Sequence, residues 1–427
     1  MATIVEECRR VLKPFAHCLA GLRIVYQISL EFGTLARLQT QALQAIIYAR
    51  MQSHTICKAG QATWPPEWNG SMGRRKDIPI FVPSRRPRGC GCLFWLLILV
   101  VVIVAGVIVM SDIGNKQVKV VKQPVSVLGL SRDLEGFSIL HLSDLHAAEL
   151  GKDQSMIAKA LDKLSYNAVC ITGDMVGETG NMQPFMQLLS LIKKDIPIFF
   201  IPGDCDPPPL YTSAHDTLSV LTPYITAAQA AGAIYLDAPY PLTVGKTTIW
   251  FSPEGLYSMD AESTIASCQG QLDRLNGANA MDNADGAAEI RAWEYRLDAA
   301  KRLKDAREHM KSTDYHIALS HAPLTYDYVR SVWDWQDDKG TSMQKVTLAL
   351  AGHMNGGQWR IPGGGPIYVP GMGWFPEDRL VTGLSRVSTI AQYISPGLGS
   401  SCHYPLQPGR LFNPPVVAVL TLTGKPQ

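Results

Sequence analysis

The chain of 427 residues lacks internal repeats and extended low-complexity tracts, which argues against repeat architectures and long disordered arrays. It also lacks net positive charge over most of its length. The totals are 39 Lys+Arg against 37 Asp+Glu, a net of +2, but residues 1–71 hold seven basic and four acidic side chains and residues 72–92 hold six and one. That leaves 26 basic and 32 acidic residues beyond position 92, a net of −6. Such a balance argues against a nucleic-acid partner, which requires clustered Lys and Arg. The nine cysteines show no zinc-finger spacing. Cys170 falls inside an apolar run and reads as a buried core residue, and nothing in the spacing of Cys205, Cys268 and Cys402 points to a disulfide.

A long hydrophobic run is present. Residues 93–110, LFWLLILVVVIVAGVIVM, carry no charge over 18 positions, enough to cross a bilayer as a helix. Before it lie Arg74, Arg75, Lys76, Arg85, Arg86 and Arg88, opposed only by Asp77. The positive-inside rule puts that flank in the cytoplasm and the larger part of the chain outside it. Cys90 and Cys92 border the span, where S-acylation is conceivable. The expected layout is an N-terminal extension over 1–71, a basic cytoplasmic linker over 72–92, a transmembrane helix over 93–110, and an extracytoplasmic domain over 118–427. The stretch 1–71 reads either as sequence upstream of a natural start at Met72 or as a genuine cytoplasmic helical segment.

Beyond the span, strands and helices alternate. Strands are expected at 118–127, 137–142, 168–172, 196–201, 316–320 and 346–352, with a last one in PVVAVLTLT. Helical stretches are expected near 153–164, 182–193, 213–231 and 285–311. This is the rhythm of a parallel α/β sheet.

The strand ends carry the chemistry. The run SILHLSDLH (138–146) stops at Asp144 and His146, two residues apart and so able to face one point in an extended chain. Alone, Asp-x-His is more simply a capping Asp and a surface His. The later strands, however, end in Gly173-Asp174, Gly203-Asp204-Cys205-Asp206, Ser320-His321 and Gly352-His353-Met354-Asn355. In open α/β sheets, ligands gather at the carboxyl ends of strands. Carboxylates neutralise divalent cations there and imidazoles complete their coordination.

The ordered series Asp-x-His, Gly-Asp, Gly-Asp-Cys-Asp, His, Gly-His-x-Asn resembles that of calcineurin-like metallophosphoesterases, from about Phe137 to Thr421. The hydrophobic anchor, GHMNGGQ (352–358) and the tail YISPGLGSSCHYPLQPGRLFNPP (393–415) are similar to the membrane-anchored bacterial branch of that family. The resemblance implies a four-layer α/β sandwich of mixed sheets flanked by helices, and hydrolysis of a phosphoester with one or two divalent ions per chain (Mn, Fe or Zn). It implies Asp144 and His146 as ligands of a first metal, Asp174 as the bridge, and His321 and His353 as ligands of a second. Asp204 stands where the family has a ligating Asn. Cys205, with Asp206 beside it, stands where the family has its catalytic His. Asn355 stands where the family has the last first-metal His and is a poorer donor. These departures predict retained metal binding with slower or altered chemistry, or else a binding or scaffold module of the envelope. An anchor in the cytoplasmic membrane would favour lipid head groups or envelope phosphates as partners. His141, His215 and His316 read as structural. His403 is a candidate to approach the site from the far side. Trp333, Trp335 and the loop 363–374 form either a substrate rim or ordinary surface packing.

Overall fold

The computed structural model describes residues 90–425 apart from 178–179, 216–218, 336–341 and 402–408, with side chains from Trp95 onward. The extension 1–71, the basic linker before Cys90, the side chains of Cys90 and Cys92, and Cys402 and His403 lie outside the described residues.

Helix α1 (Cys90–Asn115) contains the expected span. Its stretch Trp95–Asn115 is long and apolar enough to cross a membrane and is almost wholly unburied. The strands that follow are β1 (Lys119–Ser126), β2 (Ser138–Leu142), β3 (Ala168–Thr172), β4 (Ile198–Ile201), β5 (Ala233–Tyr235), β6 (Tyr240–Val244), β7 (Thr247–Pro253) and β8 (Tyr315–Leu319). Beyond them run β9 (Val346–Ala351), β10 (Trp359–Arg360), β11 (Pro366–Val369), β12 (Gly373–Trp374), β13 (Gly383–Val387), β14 (Ile390–Ile394) and β15 (Val416–Thr423). The remaining helices are α2 (Ser155–Leu161), α3 (Gln183–Ser190), α4 (Pro223–Ala230), α5 (Ala261–Gly277), α6 (Ala284–His309) and α7 (Tyr326–Val332).

Two six-stranded sheets form, in the orders β1-β15-β2-β3-β4-β5 and β13-β14-β9-β8-β7-β6. Both are mixed: β2, β3, β4 and β5 run parallel while β15 opposes β2, and β7, β8, β9 and β14 run parallel between the antiparallel edges β6 and β13. Their inner faces share a core that includes Ile139, Phe199, Phe251, Leu319, Leu350 and Leu420. The outer face of the first sheet packs on α2, α3 and α4 through residues such as Ile157, Phe185, Leu188 and Ile225. The outer face of the second packs Ala318 and Ala349 against Tyr257, Leu324 and Val329. The result is the expected four-layer sandwich. Strands covered on both faces read as near-continuous apolar runs, which is why AVCIT and SILHL were legible.

Two readings are corrected, and one helix is added. The stretch 213–231 is not one helix: among its described residues only Pro223–Ala230 is helical, and Leu210 bridges Leu221 instead. Pro223 suits a first helical turn but would break a helix interior. Residues 261–277, which carry no strong apolar stripe, form α5 and close a helical hairpin on α6 with its own small core of Cys268, Leu272, Leu275, Ile290 and Leu297. The loop around 363–374 contains strands of a small sheet, β10-β11-β12.

Candidate metal centre

The carboxyl ends of β2, β3 and β4 from one sheet meet those of β8 and β9 from the other. Within each sheet, backbone hydrogen bonds stitch neighbouring strand ends together. Asp144 N–H donates to Gly173 O at 3.0 Å, His146 N–H to Asp174 O at 2.7 Å, and Gly352 N–H to His321 O at 2.9 Å. Five of the candidate ligands adopt left-handed backbone: Asp144 (φ 53°), His146 (48°), Asp174 (56°), His353 (67°) and Asn355 (48°). Each such residue costs on the order of 1–3 kcal/mol and persists only where its surroundings fix it. Glycines permit the close approach. A Cβ on Gly203 would strike the Asp174 carboxylate, and one on Gly352 would strike Ser143 Oγ and the Asp144 carboxylate.

Two donor groups result. Ligand atoms of Asp174, Asp204, His321 and His353 lie within 4.8 Å of one another, as do those of His146, Asp174 and Cys205. Asp174 belongs to both. His321 Nδ1 sits 2.7 Å from Thr172 O. That carbonyl accepts a hydrogen bond from Nδ1–H, so Nε2 is left to face Asp204 Oδ1 at 2.8 Å, Asp174 Oδ2 at 3.3 Å and His353 Nδ1 at 3.2 Å. A neutral ring would aim a lone pair at two carboxylates. Only a proton or a cation at that point resolves the clash, and the donor set suits a divalent ion. A second observation agrees: Asn355 Oδ1 is buried with no hydrogen-bond partner, while Asn355 Nδ2 lies 3.5 Å from His146 Nε2.

The electrostatics follow from this geometry. Burial works against a charged His321, yet the Asp174 and Asp204 carboxylates outweigh it and raise its pKa to about 11. The His321 hydrogen bond holds Asp204 well below the usual carboxylate range. Burial raises Asp174 but is outweighed by His321 and His146, leaving its pKa lowered. Burial lifts Asp144 to about 6 and depresses His146, against the pull of Asp174 and Asp206.

Asp144 falls outside both donor groups: its carboxylate accepts the His353 N–H at 2.9 Å and the Ser143 hydroxyl. Cys205 is buried, and its N–H donates to Asp174 Oδ1 at 2.9 Å. The Asp206 carboxylate accepts three backbone N–H groups, from Val176 (2.9 Å), Gly177 (3.1 Å) and Gly203 (3.0 Å), so it ties the β3 loop to the β4 loop. His141 is buried with Nε2 2.9 Å from Thr172 Oγ1, His316 Nδ1 lies 3.4 Å from Tyr257 Oη, and His215 stacks on Tyr211.

Sequence reasoning passed over Thr172 and Arg410. Buried Arg410 donates to the carbonyls of Asn413, Gly399, Pro396 and Asn355, and Asn413 Nδ2 donates to Asn355 O at 2.7 Å. Its partners are backbone oxygens, which no side-chain pattern signals.

The model of the calcineurin-like phosphoesterase family matches residues 137–355. No curated protein matches the chain. Among solved structures, a phosphopantetheinyl hydrolase from Mycobacterium tuberculosis aligns over 61% of this chain and 89% of its own, at 12% identity and a TM-score of 0.31.

Proposed function

This chain belongs to the calcineurin-like phosphoesterase family, and on that premise we propose that it is a metal-dependent phosphoester hydrolase anchored in the cytoplasmic membrane with residues 118–427 outside. The observation that carries the reading is the Nε2 of His321, held in a single tautomer against Asp174 and Asp204. Asp174, Asp204, His321 and His353 would hold one divalent ion (Mn, Fe or Zn). His146 and Asp174, with Asp144 and the weaker Asn355 oxygen, would hold another less tightly. When bound, such ions neutralise a phosphoryl group and acidify water. The orientation rests on the basic flank at 74–88 and the span 93–110.

The chain's own residues have separable tasks. The Thr172 carbonyl fixes the His321 tautomer, which leaves Nε2 for a cation. The Cys205 N–H orients the shared Asp174 carboxylate, and Asp206 positions the loops that carry both. Cys205 replaces an imidazole with a shorter, weaker acid, so the leaving group receives less help. Losing one general acid typically slows a reaction about 10²–10⁴-fold.

Hydrolysis of an aryl phosphate by the full-length protein tests the reading, with Mn, Fe and Zn each supplied and then chelated. Metal-dependent turnover that disappears in Asp174→Asn supports it. Tight metal binding without turnover would favour the second reading, a binding module that keeps the fold, which the Cys205 and Asn355 replacements favour.

A further inference from the structure

The small sheet β10-β11-β12 carries an unusual load of exposed apolar side chains. Among the described residues outside α1, ten large apolar side chains are exposed, and five of them (Ile361, Met372, Trp374, Phe375 and Leu380) fall between residues 361 and 380. Trp374 is 69% exposed and Phe375 65%. The two rings lie side by side, centroids 6.2 Å apart, and Trp374 also leans on Tyr368 at 5.2 Å. Phe375 occupies left-handed backbone (φ 52°), fixed by its N–H donating to Ile367 O at 2.9 Å. A bulky residue is rare in that conformation. Here it holds an aromatic ring out into solvent, with no burial in return.

The charges of the same stretch cancel. Arg360 pairs with Asp378 at 2.6 Å and Arg379 with Glu377 at 2.6 Å. An apolar, charge-neutral tip flanked by aromatic rings suits the bilayer interface, where Trp and other amphipathic rings settle.

Its place in the fold points to the same occupant. The C-terminal end of α1 grips the segment 410–412: Ser111 Oγ donates to Arg410 O at 3.2 Å, Asn115 Nδ2 donates to the same carbonyl, and Phe412 N–H donates to Ser111 Oγ at 3.1 Å. Leu411, between them, bonds to the start of the small sheet. Its N–H donates to Gln358 O at 3.0 Å and its carbonyl accepts from Arg360 N–H at 2.9 Å. The membrane end of the helix and β10 thus share one connecting segment. That segment also reaches the metal centre, because the Arg410 guanidinium holds Asn355 O, and Arg360 Nη1 donates to Gly356 O at 2.9 Å.

We propose that Met372, Trp374 and Phe375 enter the interface of the bilayer that holds α1, and that this contact seats the metal centre on phosphoesters carried at the membrane surface. The substrate half of this statement rests on the hydrolase reading above, whereas the membrane contact does not. Since the tip carries no net charge, the contact is independent of anionic lipid.

The contact is tested on full-length protein in phosphatidylcholine vesicles whose acyl chains are brominated, read by tryptophan fluorescence. Trp95 in α1 should be quenched in every variant, so the readout is the change caused by Trp374→Phe. The expected result is less quenched emission in Trp374→Phe than in the unaltered protein, to the same extent with and without anionic lipid. Equal quenching in the two proteins overturns the proposal. So does loss of a detergent-stable dimer on the same substitution without a quenching difference, which would assign the patch to a second copy of the chain. For the substrate class, Trp374→Ser combined with Phe375→Ser should lose about tenfold in turnover of a vesicle-borne phosphoester, with turnover of a soluble aryl phosphate unchanged. Equal loss on both substrates overturns the substrate claim. If the unaltered protein hydrolyses neither, the hydrolase reading has failed, and the quenching result still decides the membrane contact.

Discussion

The Nδ1 atom of His321 lies 2.7 Å from the carbonyl oxygen of Thr172. This bond joins the two sheets at their carboxyl ends and decides which face of the imidazole is free. Without a cation, the ring keeps its second proton up to a pKa of about 11. A bound ion must displace that proton, so metal binding near neutral pH should release about one proton per chain from this residue. Calorimetric titration in buffers of different ionisation enthalpy measures it. The sign for stability is also set. A folded-state pKa raised above the unfolded value of about 6.5 stabilises the metal-free protein fully below that pH. The contribution is then lost as pH climbs toward about 11. Metal affinity should strengthen over the same window. Binding without proton release would show that the metal-free ring does not carry the second proton.

Positions 355 and 205 should respond differently to histidine. Asn355→His adds an imidazole beside His146 and should tighten the weaker metal position about 10–100-fold, the scale on which changes around metal ligands are felt. Cys205→His should raise turnover by up to about 10²-fold with little change in metal content, since an imidazole is a better proton donor than a thiol. Equilibrium dialysis and aryl phosphate kinetics on the single and double variants separate these effects. A gain in metal content without a gain in turnover from Cys205→His would show that this position serves coordination.

Gly352 sits where any Cβ would collide with Ser143 Oγ and the Asp144 carboxylate. Gly352→Ala should therefore destabilise the fold by about 1–3 kcal/mol, the usual range for forced overpacking. It should also weaken metal binding, because Asp144 anchors the His353 N–H at 2.9 Å. Urea unfolding with and without added metal gives both quantities. An unchanged midpoint would show that the strand ends have slack.

Acid should unfold the protein through its buried histidines. Burial depresses His141 to a pKa of about 3 and His316 to about 4. A depressed folded-state pKa means that the stabilising contribution is present above the unfolded pKa near 6.5 and is lost as pH falls through the folded value. Between those limits each group costs up to about 1.4 kcal/mol per pH unit. His141→Phe, which also removes a ring nitrogen without a partner, should flatten the pH dependence of unfolding by about one proton between pH 4 and 6. An unaltered slope would mean that His141 is accessible to protons in the native state.

The sandwich and its site were legible to different depths. Strands such as AVCIT and SILHL announce themselves because both faces are covered. The residues Asp174, Asp204, His321 and His353 were legible because each closes a strand, and the structure brings them together. Cys205 appeared only as a replacement, since its closeness to His146 and Asp174 depends on how the β4 loop folds back. Asp206 looked chemical but is spent on backbone amides. The short strands β10, β11 and β12 are two to four residues long and too brief to show a period.

The most direct measurement is the metal content of full-length protein dialysed against limiting Mn, Fe or Zn, beside a His321→Ala variant. The account predicts about one ion per chain, a further ion only in excess metal, and loss of the tightly held ion in His321→Ala. No retained metal in the unaltered protein, or undiminished retention in His321→Ala, would contradict it.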